Sequence, residues 1–523
     1  MTEESSLTFT NPVIRGFNPD PTICVVPATD STPTTFFLST STFEFFPGCA
    51  IYTSTNLIDW KLIGHALNRR SQIDMRTVEP GAGSWASTLR YRPEEKRWYL
   101  ANGIFHRYRP TVDERIFPRG FYVWTDNIWD DNAWSDPVYF DNPGFDQDLF
   151  WDDDGKVYLS TTMRFAWRDP NSKQKDFGIH ISEIDISTGR TLTAPKVIRK
   201  SPHGIAEGSH LFKRGDWYYL LTAEGGTEAG HQEWVFRSKH GPLGPWESQG
   251  KPLWYNGPDE EVQRTGHVDV FEDGNGDWWS VLLGRETFLV KVEWKDDWPI
   301  FNDGHNITLK TVGRDLIKSA SKPSLQKWNA DLSEDELELG WYQKKKPGVL
   351  RLYGNCYDLT SPEAPALLLR KQTSYNQVFK AKMGFQPTVR GYEAGIVLWW
   401  SQHSYASLGI VASENEDGKV KTRVIYKGAA GNSNEFKTSE ADLGANLENV
   451  ELAIRAYPTK YELSLRAGGK ESEVFTVDAS ALTVMPPHGG CFAGTMFGIY
   501  SYGKNQPVLD PVDFSEISTE ELE

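Results

Sequence analysis

Five short segments of this sequence each pair a turn with a bulky strand: TTFFLST, EKRWYLANG, DGKVYLSTT, GDWYYLLTA and GDWWSVLLG. With Phe37, Tyr99, Tyr158, Tyr218 and Trp279 as markers, the spacings are 62, 59, 60 and 61 residues. A fixed period constrains a fold more tightly than local propensity, because every unit must bury its apolar surface against neighbours built the same way. Ahead of each marker runs a second apolar segment, giving TICVV, STLRY, DLFWD, SHLFK and VDVFE, joined to it by polar turns such as DDDGK, KRGD and DGNGD. Asp/Gly turns between such runs specify β-hairpins.

About sixty residues per unit is the content of a four-stranded propeller blade with generous loops. The segments lack the helical periodicity an α-solenoid requires. The predicted fold class is all-β: a five-bladed β-propeller over residues 11–315, followed by a β-sandwich of jelly-roll, lectin-like type over 346–523. Between them, residues 316–345 carry mixed charge blocks and read as a linker. From VLRLYGN onward, segments such as AGIVLWW, SLGIVAS and KYELSLRAG lie between Gly- and Asn-rich turns, as in a sandwich.

In a propeller the first strand of each blade lines the central axis, so equivalent positions of successive repeats converge. Aligning those strands on Ile23, Leu89, Leu149, Leu211 and Val270 puts Asp20, Ala86, Asp146, Gly208 and His267 three residues earlier, with Glu207 one step further back. Singly, each polar residue reads as a solvated turn. Together they bring carboxylates to one level, which costs energy unless function requires it. Asp20 is also set between Pro19 and Pro21, on backbone expected to be stiff as it enters a strand.

Converging carboxylates with 20 Trp, 21 Tyr and 27 Phe suit glycoside cleavage. One acid protonates the leaving oxygen, another carboxylate activates water or attacks the sugar, and aromatic faces stack on the ring. A net charge of −16 argues against a nucleic-acid partner. Four cysteines without CxxC spacing argue against a thiolate metal site. The start, MTEESSLTFT, has neither a basic n-region nor an apolar h-region, and no run of about 18 apolar residues occurs. A soluble chain without signal peptide or membrane span is expected, cytoplasmic, or extracellular if a leader was removed.

With these residues in view, the chain resembles glycoside hydrolase family 43, whose members include β-xylosidases and α-L-arabinofuranosidases. The resemblance rests on NPVIRGFNPDPTI, FDQDLFWDDDGKVYL, AEGSHLFKRGDWYYLLTAEGGTEAGH, TGHVDVFEDGNGDWW and LGRETFL, then PGVLRLYGN and GGCFAGTMFGIYS. It implies that Asp20 is the general base, Glu207 the general acid, and Asp146 a third carboxylate that orients the acid and tunes its pKa. By the same resemblance Arg285 binds sugar hydroxyls, Phe43 and Trp85 form pocket walls, and His267 lies beneath the pocket, with a buried structural histidine as the alternative. No cofactor is required, and an auxiliary calcium ion near His267 is the one metal considered. Met496 and Phe497 read as core, with the pocket rim as alternative. WAS at Trp85–Ser87, Gln147 after Asp146 and Ser209 in EGSH depart from the family's usual WAP, DP and EGPH, but no carboxylate is lost.

The expected activity is inverting, exo-acting release of terminal α-L-arabinofuranosyl or β-D-xylosyl residues from arabinoxylan or xylo-oligosaccharides. The alternatives are a retaining, fructosidase-like propeller hydrolase and a non-catalytic carbohydrate-binding protein.

Overall fold

Each apolar pair of the repeat forms an antiparallel hairpin, and the hairpins extend into blades. The computed structural model describes residues 8–106, 118–164, 176–312, 342–346, 348–429, 435–487 and 490–522. The chain divides into two compact units: Met1–Met75 with Ala82–Pro323, and Ser324–Glu523 with the short stretch Arg76–Gly81. Of the expected linker, residues 316–341 lie outside the described residues, and Tyr342–Lys346 is a strand of the second unit.

In the first unit the inner strands of successive blades are Thr22–Val26, Thr88–Arg92, Phe145–Trp151, Ala206–Arg214 and Gly266–Glu272. Blades 1, 2 and 5 are four-stranded meanders. Blade 3 adds a short fifth strand, Arg190–Thr191. Blade 4 has three regular strands, and beyond them only isolated bridges from Glu233 to Trp254 and from Arg237 to Glu247. Thr8–Thr10 pairs with Lys310–Val312, and the Asn11 side-chain amide exchanges two 2.9 Å hydrogen bonds with the Leu289 backbone, tying the start of the unit to its end.

Both faces of a blade are covered by its neighbours, which is why the second strands are continuously apolar rather than alternating. Phe36 packs toward blade 5 beside Phe271 and Trp279, whereas its neighbour Phe37 packs toward blade 2 beside Leu89 and Trp98. Register corrects one marker of the repeat. Phe37, Tyr99, Tyr158 and Trp279 stand opposite Cys24, Arg90, Phe150 and Phe271, and the residue opposite Phe212 is Tyr219, not Tyr218. Tyr218 instead turns back toward blade 3, where its hydroxyl donates to Asp152 Oδ1 at 2.9 Å.

At the axis the blades are joined by one guanidinium. Arg90 of blade 2 donates through Nη2 to Asp148 Oδ1 of blade 3 and through Nη1 to Asp269 Oδ2 of blade 5, both at 2.8 Å. Its Nη2 also lies 3.1 Å from Nδ1 of His210 in blade 4. The carboxylates then staple the next blade: Asp148 Oδ2 accepts from Leu211 N at 2.7 Å, and Asp269 Oδ2 accepts from Ile23 N and from the Thr22 hydroxyl at 3.1 and 2.8 Å. Thr22 Oγ1 accepts from Leu89 N at 3.1 Å. All blades are therefore represented in one buried network.

The second unit packs a sheet around Val512–Glu521, Gln377–Gly384 and Asn449–Ala456 against one around Met496–Gly503, Tyr392–Ser401 and Ser404–Glu414. The facing residues, among them Phe379, Ile396, Leu408, Leu463 and Phe514, form one core. Phe497 is fully buried there, stacked on Phe379 with centroids 5.8 Å apart, and Met496 is buried too.

Removing the axial guanidinium strands two buried carboxylates. Arg90→Met is expected to lower stability by about 3–5 kcal/mol in denaturant unfolding. Arg90→Lys, with one ammonium in place of a fork, should recover only part of it. A Met variant as stable as the parent would show that the network does not hold the blades.

Candidate active site

The inner strands open with a shared backbone irregularity. In blades 3, 4 and 5 the register slips by one residue between Phe145 and Asp148, between Glu207 and His210, and between Gly266 and Asp269. In blade 1 the equivalent step is marked by the Ser41 N–H donating to Pro19 O at 3.1 Å. At each bulge one residue is left-handed: Asp20 with φ 51°, Asp146 with 52°, Gly208 with 58° and His267 with 51°. These are the residues at one phase of the repeat. A bulge re-aims the residue it carries, and here the bulges bring Asp20 to His267 and Asp146 to Gly208. For the non-glycine residues the left-handed region costs about 1–2 kcal/mol each, so the surroundings must hold them. Asp20, expected on stiff backbone entering a strand, is left-handed just ahead of that strand. The bulge turns it, and Pro19, which has no N–H to lose, contributes its carbonyl.

The four turns interlock. Asp20 Oδ1 receives His267 Nδ1 at 3.1 Å, and Asp20 Oδ2 accepts from the Ser41 hydroxyl at 2.6 Å. A Cβ built on Gly208 would stand 2.8 Å from the His267 ring, so it is this close approach that requires glycine. The Gly208 N–H donates to Asp146 Oδ2 at 2.9 Å. Asp146 therefore grips the peptide that follows Glu207, and His267 touches that segment from blade 5. Asp20, Asp146, Glu207 and His267 are brought together.

Their charges are pushed apart. Burial works to raise the Asp20 carboxyl, but the hydrogen bond and charge of His267, the Ser41 hydroxyl and the charge of Arg285 hold it below the usual carboxylate range. Burial raises Asp146 to about 6, against the opposing pull of His267, with the Asp20 charge adding to the rise. Burial disfavours a charged His267, but the bond and charge of Asp20, with the charge of Asp146, outweigh it and lift the imidazole to about 9. At neutral pH an anionic Asp20 thus faces an imidazolium, beside a carboxyl that holds a proton far more readily.

Arg285, also left-handed at φ 64°, donates to Thr227 O and Glu228 Oε1 at 3.2 Å each and lies close enough to act on Asp20. Its guanidinium is thus ion-paired with Glu228 while its charge bears on Asp20. Trp85 is half-buried, stacked on Phe105 at 4.2 Å and edge-on to Phe145 at 5.4 Å. Phe43 is buried behind it, 6.5 Å away and against Phe17. Among the described residues no group of three or more His, Cys, Asp or Glu is arranged to hold a metal ion, and His267 turns its Nδ1 to Asp20. A groove of about 380 Å³ beside Asp152 and Tyr218 lies at the far end of the blade 3 inner strand, roughly 20 Å along it from Asp146, with its acids engaged by Tyr218, Lys156 and Lys213.

Sequence reasoning missed Ser41, the Arg90 network and two buried residues of blade 4. His231 is held neutral by burial, its pKa lowered to about 4, with Nδ1 3.0 Å from Arg264 O; Glu233 lies two residues on. Arg90 carried a usable signal, a lone charge inside the apolar run STLRY.

A propeller that brings several carboxyls to one level of its axis suits glycoside cleavage. Residues 9–299 match the family model described as glycosyl hydrolases family 43, and residues 334–520 match the β-xylosidase C-terminal concanavalin A-like domain. A non-reducing end α-L-arabinofuranosidase of Bacteroides ovatus is 32% identical, over 97% of this chain and 94% of its own. A xylan 1,3-β-xylosidase of a Vibrio species is 31% identical over 78% of this chain and 80% of its own. The crystal structure of a xylan β-1,4-xylosidase from Bacillus halodurans superposes with a TM-score of 0.83 at 28% identity, covering 98% of this chain and 100% of that one. The chain belongs to glycosyl hydrolases family 43.

Two outcomes follow from this geometry. Gly208→Ala should displace the His267 ring and lose at least about 1 kcal/mol, read by thermal unfolding; an unchanged protein would mean the approach is loose. The Asp20–His267 pair sets a stability window. Asp20, lowered, stabilises above about pH 3.8, and this contribution is lost as pH falls through its folded pKa; His267, raised, stabilises fully below about pH 6.5, and this is lost as pH rises through about 9. The stability difference between the parent and His267→Gln should peak between about pH 4 and 6.5 and shrink on both sides. A difference independent of pH would contradict the pairing.

Proposed function

We propose that the chain is an inverting, exo-acting glycoside hydrolase that releases terminal α-L-arabinofuranosyl or β-D-xylosyl residues from arabinoxylan or xylo-oligosaccharides. The observation that carries this is the grip on Asp20, an ionised carboxylate with one oxygen on Ser41 and the other on His267. A carboxylate so fixed is a preorganised base for one water rather than a mobile surface acid. The names of the relatives supply the substrate class, since they include an arabinofuranosidase and xylosidases.

In this reading Asp20 takes a proton from water as its oxygen attacks the anomeric carbon. Glu207 gives its proton to the glycosidic oxygen as the carbon–oxygen bond breaks on the opposite face. Inversion calls for roughly 6.5–9.5 Å between the two carboxyls, against ~5–5.5 Å for retention. Asp146, bonded to the Gly208 N–H, fixes the Glu207–Gly208 peptide and so orients the acid. Arg285 binds sugar hydroxyls, and the exposed side of Trp85, backed by Phe43, stacks on the pentose.

The test is a proton NMR time course on arabinoxylan oligosaccharides. First appearance of β-L-arabinofuranose or α-D-xylose from linkages of the opposite anomeric sense is expected. Retained configuration would contradict Asp20 as base and favour the fructosidase-like alternative, whereas no release would favour a binding protein. Asp20→Asn and Glu207→Gln should each lose about 10²–10⁴-fold in kcat while still binding the sugar by calorimetry. The Glu207→Gln loss should be smaller on an aryl glycoside whose leaving group needs no proton. Equal losses on both substrates would remove Glu207 from the acid role.

A further inference from the structure

One buried carboxyl near the site has no part in the mechanism above. Glu233 lies on the third strand of blade 4, Gln232–Ser238, and is fully buried. Neither of its oxygens makes a hydrogen bond of good geometry. The strand register places it in one row with the proposed acid: Glu207 stands opposite Ala223, and Ala223 stands opposite Glu233. Directly opposed residues of antiparallel strands point to the same face, so both glutamates flank the small Ala223, with Cα atoms about 10 Å apart. The strand also packs against the blade 5 inner strand. There the backbone N–H groups of His267 and Val268 bear on the Glu233 carboxyl.

A buried acid without a cationic partner is costly in a scaffold that could hold an apolar residue there. What it adjoins is the left-handed turn of His267 that aims the imidazole at Asp20. We infer that Glu233 is a positioning residue of this site, its carboxyl supporting the His267–Val268 backbone from behind so that His267 Nδ1 stays on Asp20. This rests on Asp20 being the base. The charged and titratable groups around Glu233 are Glu207, His231 and Glu224 on its own sheet, Glu224 being held by Arg199 at 2.6 and 2.9 Å, and His267 on the blade 5 inner strand. Burial with few compensating contacts keeps Glu233 as the neutral acid well above the usual carboxylate range.

Two variants separate this role from simple packing. Glu233→Ala should lower kcat by about tenfold or more with KM within about threefold, as a small displacement of a catalytic group does. It should also move the acid limb of the kcat/KM profile upward, because Asp20 loses the contact that keeps its pKa low. Glu233→Gln, which keeps the shape and neutrality, should restore both to near the parent. A folded Glu233→Ala protein with the parental kcat and acid limb overturns the inference.

If Glu233→Ala does not fold, Glu233→Gln decides alone. The parent binds one more proton than its unfolded chain above about pH 4.5 and loses stability as pH rises. The Gln variant should therefore match the parental kcat while its margin in thermal midpoint over the parent widens from pH 5 to pH 8. A constant margin, or a Gln variant with strongly reduced kcat, overturns the inference. The midpoint does not depend on which carboxylate is the base, so an error in that assignment would remove the limb shift and leave the widening margin.

Discussion

Arg90 meets Asp148, Asp269 and His210 where the inner strands converge, and the proposed catalytic groups sit at the bulges where those strands begin. The arrangement is economical in charge. A ring of blades brings equivalent residues to one axis, and polar residues there bond directly to each other. A single guanidinium answers two carboxylates, and each carboxylate spends its remaining capacity on a backbone N–H of the following blade. Breaking such a network by removing one member leaves uncompensated buried charge, so its members are strongly interdependent. The inner strands are thereby fixed relative to each other, which a site assembled from different blades requires.

On that base the site is built by one device used four times. Each bulge spends one residue in the left-handed region to turn a side chain toward the axis. Glycine takes the position in blade 4, where the His267 ring leaves no space for a Cβ. Aspartate takes it in blades 1 and 3, and histidine in blade 5. The local strain is offset by contacts between the turns, Asp20 with His267 and Asp146 with Gly208. The same contacts set the protonation states, so geometry and charge are determined together.

Much of this was legible in the sequence because the propeller converts position in the repeat into position in space. The spacing of Phe37, Tyr99, Tyr158 and Trp279 was enough to find the blades, and the phase of Asp20, Asp146, Gly208 and His267 was enough to place them together at the axis. Tyr218 misled by one residue because blade 4 carries adjacent tyrosines and both faces of a blade are buried, so apolar character does not distinguish them. The bulge at Asp20 was not legible in its flanking prolines, because it is defined by pairing with Ser41, beyond the end of the blade's second strand. Ser41, Glu233 and the partners of Arg90 were hidden because their significance lies in which strand faces which.

The mechanism stands on Asp20 as a base aimed at a single water, with Glu207 as its acid across the sugar. The most direct measurement is a crystal structure of the Glu207→Gln variant with an unhydrolysed xylo- or arabinoxylo-oligosaccharide. The expected result is a water on Asp20, in line with the anomeric carbon and opposite the leaving oxygen. The substituted amide should lie at that oxygen, with roughly 6.5–9.5 Å between the two side-chain groups. A sugar whose anomeric carbon sits directly against the Asp20 carboxylate, with no room for water, would contradict it.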